Sequence, residues 1–268
     1  RQLSFQYNVD YDPWKSLNPL AKTGDFRPGD ASGGLNISEH STFIAGLIAG
    51  QRNAGTGFNG IAENARLIII KVHNTADEAA LDEQVADGIH YSVDHDAKVI
   101  NISLGTYFSV KPELVLEAFD YAKDHGVSIV LSAGNEGKDL RTTEHYPNPS
   151  LNQGNVFVIG SDSDKTNFGG RVDFHVTEGN DQTAKKESKY ISAVPGGKIE
   201  SKKGTSFSAA YTTGVISLAL GMDPSLEPET LRDLLMNNTI PYDHASGVEA
   251  IQLETYGFLK EGLAERRP

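Results

Sequence analysis

Four apolar stretches, interleaved with segments of helical spacing, limit most strongly what this chain can fold into. "ARLIIIKV" (65–72) is an apolar run rich in isoleucine, and "AKVINISLG" (97–105), "VSIVLSAGN" (127–135) and "NVFVIGS" (155–161) are of the same type. Strands this apolar must be covered on both faces, as in a parallel sheet between helices. "DEQVADGIHYSVDHD" (82–96) sets Val85, Ile89 and Val93 at helical spacing. "PELVLEAFDYAKDHG" (112–126) opens with Pro112 in its first turn and stops at Gly126, where a helix favours each residue. The alternation predicts right-handed crossovers and a three-layer α/β/α sandwich around a mainly parallel sheet. At 268 residues the chain fits one large α/β domain, 1–268, better than two small ones.

Beyond residue 161 the pattern changes. Residues 162–203 are polar and glycine-rich, with "TEGNDQTAKKESK" (177–189) expected as a surface excursion. An apolar helix of small residues follows at 206–221 and an amphipathic one at 227–238. No internal repeat, long linker or coiled-coil heptad is present in the sequence.

Composition narrows the chemistry. There are no cysteines, which excludes disulfides, thiolate catalysis and cysteine-ligated zinc. The formal charge of -12 repels polyanions, so neither nucleic acid nor an anionic membrane is an expected partner. No apolar run is long enough to span a bilayer. The chain starts at Arg1 with no signal-peptide pattern, and is expected to be a processed, secreted product.

Ligands of an open parallel sheet bind outside the carboxyl ends of its strands. Three segments carry polar groups at such positions or at helix starts. His40 opens a helix in "SEHSTFIAGLIAG" (38–50), Asn135 follows a buried strand in "SAGNEG" (132–137), and Ser206 starts the small-residue helix in "GTSFSAAYTTG" (204–214). Together they are the parts of an acyl-transfer site. A histidine removes the serine proton as the hydroxyl attacks a carbonyl, and preorganised donors receive the oxyanion. The Asn135 side-chain amide and the Ser206 N–H are candidate donors, helped by a helix dipole. The remaining histidines, at 73, 90, 95, 125, 145, 175 and 244, show no ligand spacing and read as surface or core residues.

These motifs resemble those of the subtilase family. "HSTFIAGLIAG" resembles H-G-T-x-V-A-G-x-I-A-G, "SAGNEG" matches the oxyanion motif, and "GTSFSAAYTTG" resembles G-T-S-M-A-A-P-x-V-x-G. "INISLG" (100–105), "NGIAENARLIIIKV" (59–72) and "AVPGGKIESKKGTS" (193–206) resemble further family segments in the same order. The resemblance implies a serine peptidase with His40 as general base, Ser206 as nucleophile and Asn135 as oxyanion donor. It implies a peptide or protein substrate that pairs as an added strand along Ser103, Leu104 and Gly105. Ala133 and Gly134 would then lie beside the pocket for the residue preceding the scissile bond. An upstream propeptide or a separate chain is a further implied partner. No organic cofactor is required, and a structural calcium is a candidate for the loop 52–60, although an alanine stands there at a family asparagine position.

The family's aspartate motif, V-x-V-I-D-T-G-V-D-Y-x-H-P-D-L, is not intact. Aligning "VDYDPWKSL" with its second half sets Gln6 at the aspartate, Tyr7 at the threonine and Asn8 at the glycine. "GDFRPGD" (24–30) supports that register. Asp10 and Asp12 are the nearest carboxylates, four and six residues away, and Asp10 is the candidate replacement. Ser41 and Ala210 replace a motif glycine and proline. Three explanations stand side by side: a rearranged aspartate, a specialised protease with an incomplete triad, and a pseudoprotease that binds peptides in the same groove. Acyl transfer to an amine is another outcome of such a site. It needs water excluded from the acyl-enzyme, and no lid insertion is evident in the sequence.

Overall fold

The computed structural model describes residues 39–51, 58–70, 72, 82–148, 153–177 and 189–262. Its helices are α1 (Glu39–Ala49), α2 (Asp82–Asp94), α3 (Pro112–Asp124), α4 (Thr205–Met222) and α5 (Pro228–Asn237). Its strands are β1 (Val99–Ile102), β2 (Ser128–Ser132), β3 (Val156–Ser161), β4 (Phe174–Val176), β5 (Tyr190–Val194), β6 (Lys198–Lys202), β7 (Thr239–Asp243) and β8 (Glu249–Leu253). The main sheet runs β1-β2-β3-β4-β8-β7, parallel except for the antiparallel β7–β8 pair. β5 and β6 form a separate hairpin.

Alternation along the strands builds two cores. On β2, Ile129 and Leu131 face the layer of α2 and α3, where they meet Val85, Ile89 and Phe119. Val130 faces the other way, with Phe157 and Ile159, onto Ala209, Val215 and Ile216 of α4 and Leu231 of α5. Helices therefore cover the sheet on both sides, as the uninterrupted apolar runs predict. α4 is made of small residues because it packs at close range. A Cβ on Gly214 would lie 2.7 Å from Cβ of Ile61. Three of its buried hydroxyls are satisfied inside the helix, Thr212, Thr213 and Ser217 each donating to the carbonyl four residues back.

The expected first strand, 65–72, differs from the prediction. It makes bridges at Arg66 and Ile70 but no named strand over its described residues. Its side chains are shared between the two cores, Ala65 and Leu67 joining the α4 side and Val72 the α2 side. Two hairpins were not anticipated. The β5–β6 turn uses Gly196 and Gly197, both at positive φ (84° and 74°), in a polar stretch whose alternation is weak. β7 carries Pro241, which its edge position tolerates.

Two buried polar groups tie the far end of the sheet together. Arg232 of α5 donates from Nη1 to Asp173 Oδ1 at 2.6 Å and from Nε to the Gly154 carbonyl at 3.1 Å, and its guanidinium lies 4.7 Å from the centroid of Phe157. Asp173 Oδ2 in turn accepts from the Val158 N–H at 2.7 Å. Removing the guanidinium alone leaves a largely buried carboxylate uncompensated, so Arg232→Met is expected to cost about 3–5 kcal/mol in urea unfolding. His175 of β4 is buried beside His244 and Tyr242, and its Nδ1–H donates to the Ser161 carbonyl at 2.8 Å. Burial, with a smaller contribution from His244, pushes its pKa down to about 4. As pH falls from about 6.5, the unfolded chain takes up a proton here before the folded one does. Stability should therefore decline between about pH 6.5 and pH 4, and urea midpoints measured across that range should fall less steeply in His175→Gln.

Candidate active site

Ser206 is the second residue of α4, and the start of that helix is fixed by contacts to the loop after β2. Gly204 precedes the helix at φ 130° and ψ 160°, a conformation that side-chain-bearing residues rarely adopt. A Cβ there would also lie 3.2 Å from Asn135 Oδ1. Thr205 donates twice to that Oδ1, from its N–H at 2.9 Å and its hydroxyl at 3.2 Å, and its Oγ1 accepts from the Gly134 N–H at 3.1 Å. Because Oδ1 is engaged by Thr205, the orientation of the Asn135 amide is set, and its Nδ2 has no partner among the described residues. Asn135 is exposed, whereas Gly134 behind it is buried. The Ser206 N–H lies in the first helical turn, where no carbonyl four residues back is available to it.

The third side of the site is the end of β1. Ser103 Oγ donates to the Ser206 carbonyl at 2.8 Å and accepts from Asn101 Nδ2 at 2.9 Å. Asn101 Oδ1 lies 3.1 Å from the Thr213 hydroxyl of α4, so adjacent side chains link β1 to α4. The Ser206 hydroxyl is half-buried and, among the described residues, reaches only a long contact, 3.4 Å, with the Ser103 carbonyl.

His40 lies exposed in the first turn of α1, and α1 packs directly on the start of α4. The rings of Phe43 and Phe207 are 4.6 Å apart and that of His40 is 5.4 Å from Phe207, the residue after Ser206. Gly46 lets α1 approach the β5–β6 hairpin, since a Cβ there would meet Ser192 Oγ at 2.4 Å. That hydroxyl donates to the Phe43 carbonyl at 2.7 Å. Glu39 and Lys202 form an ion pair across the same junction.

The structure thus brings His40, Ser103, Asn135 and Ser206 to one end of the parallel strands. The Leu104 side chain packs against the α2–α3 core. Ala133 is fully buried, its carbonyl accepting from Asn167 Nδ2 at 2.9 Å, and Gly105 is exposed. Asp10 and Gln6 lie outside the described residues, as does most of the loop 52–60 offered for calcium. No group of three or more metal-ligating side chains occurs among the described residues.

Several residues here escape the sequence reading: Thr205, Asn101, Tyr107, Glu136, His145 and Asn167. Glu136 Oε2 accepts from the Asn135 N–H at 2.8 Å, the Tyr107 hydroxyl at 2.7 Å and Asn167 Nδ2 at 3.1 Å. Burial, then the bond to Glu136, pushes the Tyr107 phenol up to about 12, so it stays a donor. Burial pushes the His145 pKa below its ordinary value, against the opposing pull of Glu136 and Asn148. Thr205 within "GTS", Glu136 within "SAGNEG" and Asn101 within "INISLG" carried a sequence signal for their position, whereas Tyr107, His145 and Asn167 did not.

Residues 22–258 match the model of the Subtilase family. Over 248 residues the chain is 31% identical to Fervidolysin of Fervidobacterium pennivorans, covering 80% of this chain and 34% of that protein. It is 32% identical over 216 residues to the Major intracellular serine protease of Bacillus subtilis (strain 168), covering 77% of this chain and 64% of the relative. The chain therefore spans between about a third and two thirds of the length of these curated relatives. Among solved structures, a mutant of the protease domain of PatA matches with a TM-score of 0.69 and 26% identity, covering 86% of this chain and 82% of that one. Relatives named as intracellular leave secretion an expectation, and no described helix is long and apolar enough to cross a membrane. The match over 22–258, the relatives above 30% identity and the shared parallel-sheet architecture together establish that this chain belongs to the subtilase family.

Proposed function

We propose that the chain is a serine endopeptidase acting through an acyl-enzyme on Ser206. His40 takes the hydroxyl proton as Ser206 Oγ adds to the scissile carbonyl, then passes it to the leaving amine. Asn135 Nδ2 and the Ser206 N–H donate to the oxyanion, and water then attacks the ester by the reverse route. The substrate pairs as an extended strand along 103–105. Asp10 is the proposed partner of His40, no organic cofactor takes part, and calcium binding in the loop 52–60 belongs to the same reading. The observation that carries the proposal is the division of labour at Asn135. Thr205 engages its Oδ1 and fixes the amide plane, while Nδ2 is left to donate beside the start of α4. Secretion of a processed product is part of the proposal, and recovery of the chain only from cell lysate would contradict it.

Gln6 at the family's aspartate position favours a second reading, a peptide-binding relative that does not turn over. Active-site labelling separates the two. A fluorophosphonate is expected to modify wild type and not Ser206→Ala; an unlabelled wild type that also leaves a broad peptide library uncut supports the binding reading. In a catalyst, Asn135→Ala should lower kcat by about 10²–10³. Gln6→Asp should raise hydrolysis if Gln6 faces His40, and an unchanged rate would reject that register. Thr205→Val should lower kcat modestly with little change in KM, because it removes the hydroxyl's bond to Asn135 Oδ1, leaves the Thr205 N–H bond in place and does not touch the substrate strand. Unfolding by urea should show a cost of about 1–3 kcal/mol for the same variant, since the buried Gly134 N–H loses its acceptor.

A further inference from the structure

Gly105, just past β1, and Gly134, just past β2, bound the gap into which the proposed groove would receive the side chain preceding the scissile bond. That gap is filled by the imidazole of His145. A Cβ on Gly105 would lie 2.3 Å from His145 Cε1 and 2.6 Å from Nε2, and one on Gly134 would lie 3.0 Å from the same Nε2. One ring therefore touches the main chain of both walls. Below Gly134 the space is taken as well, with Asn167 Nδ2 at 2.3 Å and Glu136 Oε2 at 2.8 Å from the same Cβ position.

The ring is held from several directions. Thr106 and Tyr146 exchange both backbone hydrogen bonds, at 2.9 and 2.7 Å, which clamps the His145 segment to the end of β1. The Tyr107 ring meets the imidazole edge-on at 5.2 Å, and the Asn148 side-chain amide lies 3.2 Å from Nδ1. His145 is 4% exposed and Asn167 fully buried, so the blockage is a packed wall rather than a surface side chain folded inward. Moving the ring aside would break the Tyr107 and Asn148 contacts and open a void, at a cost that a merely apolar substrate side chain would have to offset.

We propose that His145 is a specificity-determining residue that closes the pocket for the residue before the scissile bond, restricting that residue to glycine, alanine or serine. This rests on the peptidase reading above. Burial keeps the imidazole neutral at neutral pH, so it offers no charge that would draw an acidic side chain into the gap.

The test uses quenched peptides identical except for glycine, alanine, serine, leucine or phenylalanine at that position, with fluorophosphonate labelling in parallel. Wild type is expected to cleave the alanine and serine peptides at least ~10-fold faster, by kcat/KM, than the phenylalanine peptide. A peptide aldehyde ending in alanine should likewise inhibit wild type more tightly than one ending in phenylalanine, and this comparison needs no variant to fold. His145→Ala should shift the phenylalanine-to-alanine ratio of kcat/KM upward by ~10-fold or more. A wild type that labels but prefers phenylalanine or leucine overturns this inference and leaves the peptidase reading standing. A His145→Ala enzyme with an unchanged ratio also overturns it. A wild type that does not label overturns the peptidase reading and this inference with it.

Discussion

The bonds from Thr205 to the loop after β2 are the constraint on which the rest of the site depends. α4 and β2 are separate elements, seventy residues apart in sequence at the contact between Asn135 and Thr205. Their relative position is fixed where Asn135 Oδ1 accepts from Thr205 and Thr205 Oγ1 accepts from Gly134. Two acceptors, one side-chain amide and one hydroxyl, thus satisfy donors that a helix start and a strand end would otherwise leave open. The left-handed backbone at Gly204 lets the chain enter the helix close enough to Asn135 for this exchange to occur. The geometry that would serve an oxyanion is therefore the same geometry that satisfies the backbone.

The helix carrying Ser206 is held equally firmly along its length. It lies between β1–β3 and α1, which is why its residues are small and the hydroxyls of Thr212, Thr213 and Ser217 bond to their own helix. Close packing of this kind resists displacement, since interiors at crystal-like density give little. Phe207 provides the coupling to α1, meeting buried Phe43 and exposed His40, so one aromatic ring lies between the nucleophile candidate and the base candidate. Ser103 adds the third anchor by donating to the Ser206 carbonyl while Asn101 supports it from behind.

The sequence made most of this legible for identifiable reasons. β1, β2, β3 and α2–α5 announce themselves because uninterrupted apolar runs and 3.6-residue spacing are local signals. His40, Asn135 and Ser206 could be found because each sits in a motif with glycine or small residues at fixed offsets. The two hairpins were harder, because β5–β6 is half exposed and β7 carries a proline at an edge. The contacts of Glu136, His145 and Asn167 could not be found locally, although Glu136 itself lies within "SAGNEG". Each meets Tyr107 across a long stretch of chain, 29 residues for Glu136 and 60 for Asn167, and only the folded chain joins them. His145 illustrates the limit: as a core histidine it satisfies the sequence reading, but its consequence comes from the two glycines it touches.

Packing also explains which atoms are available for chemistry. The Ser206 carbonyl, Asn135 Oδ1 and Thr205 Oγ1 are all engaged in holding the fold. Among the described residues, the Ser206 hydroxyl makes only its long contact to the Ser103 carbonyl, and Asn135 Nδ2 makes none. A structural serine at a helix start would cap its own N–H groups, and a structural asparagine would use both ends of its amide. Here the structural work falls to neighbouring atoms, and among the described residues neither the hydroxyl nor the Asn135 Nδ2 group is committed to holding the fold. Asn135 is exposed and Ser206 half-buried, so neither group is a buried polar atom left unsatisfied. An acyl-transfer site requires such uncommitted groups, because a hydroxyl or amide already bonded into the fold would have to break a bond before it could act on a carbonyl.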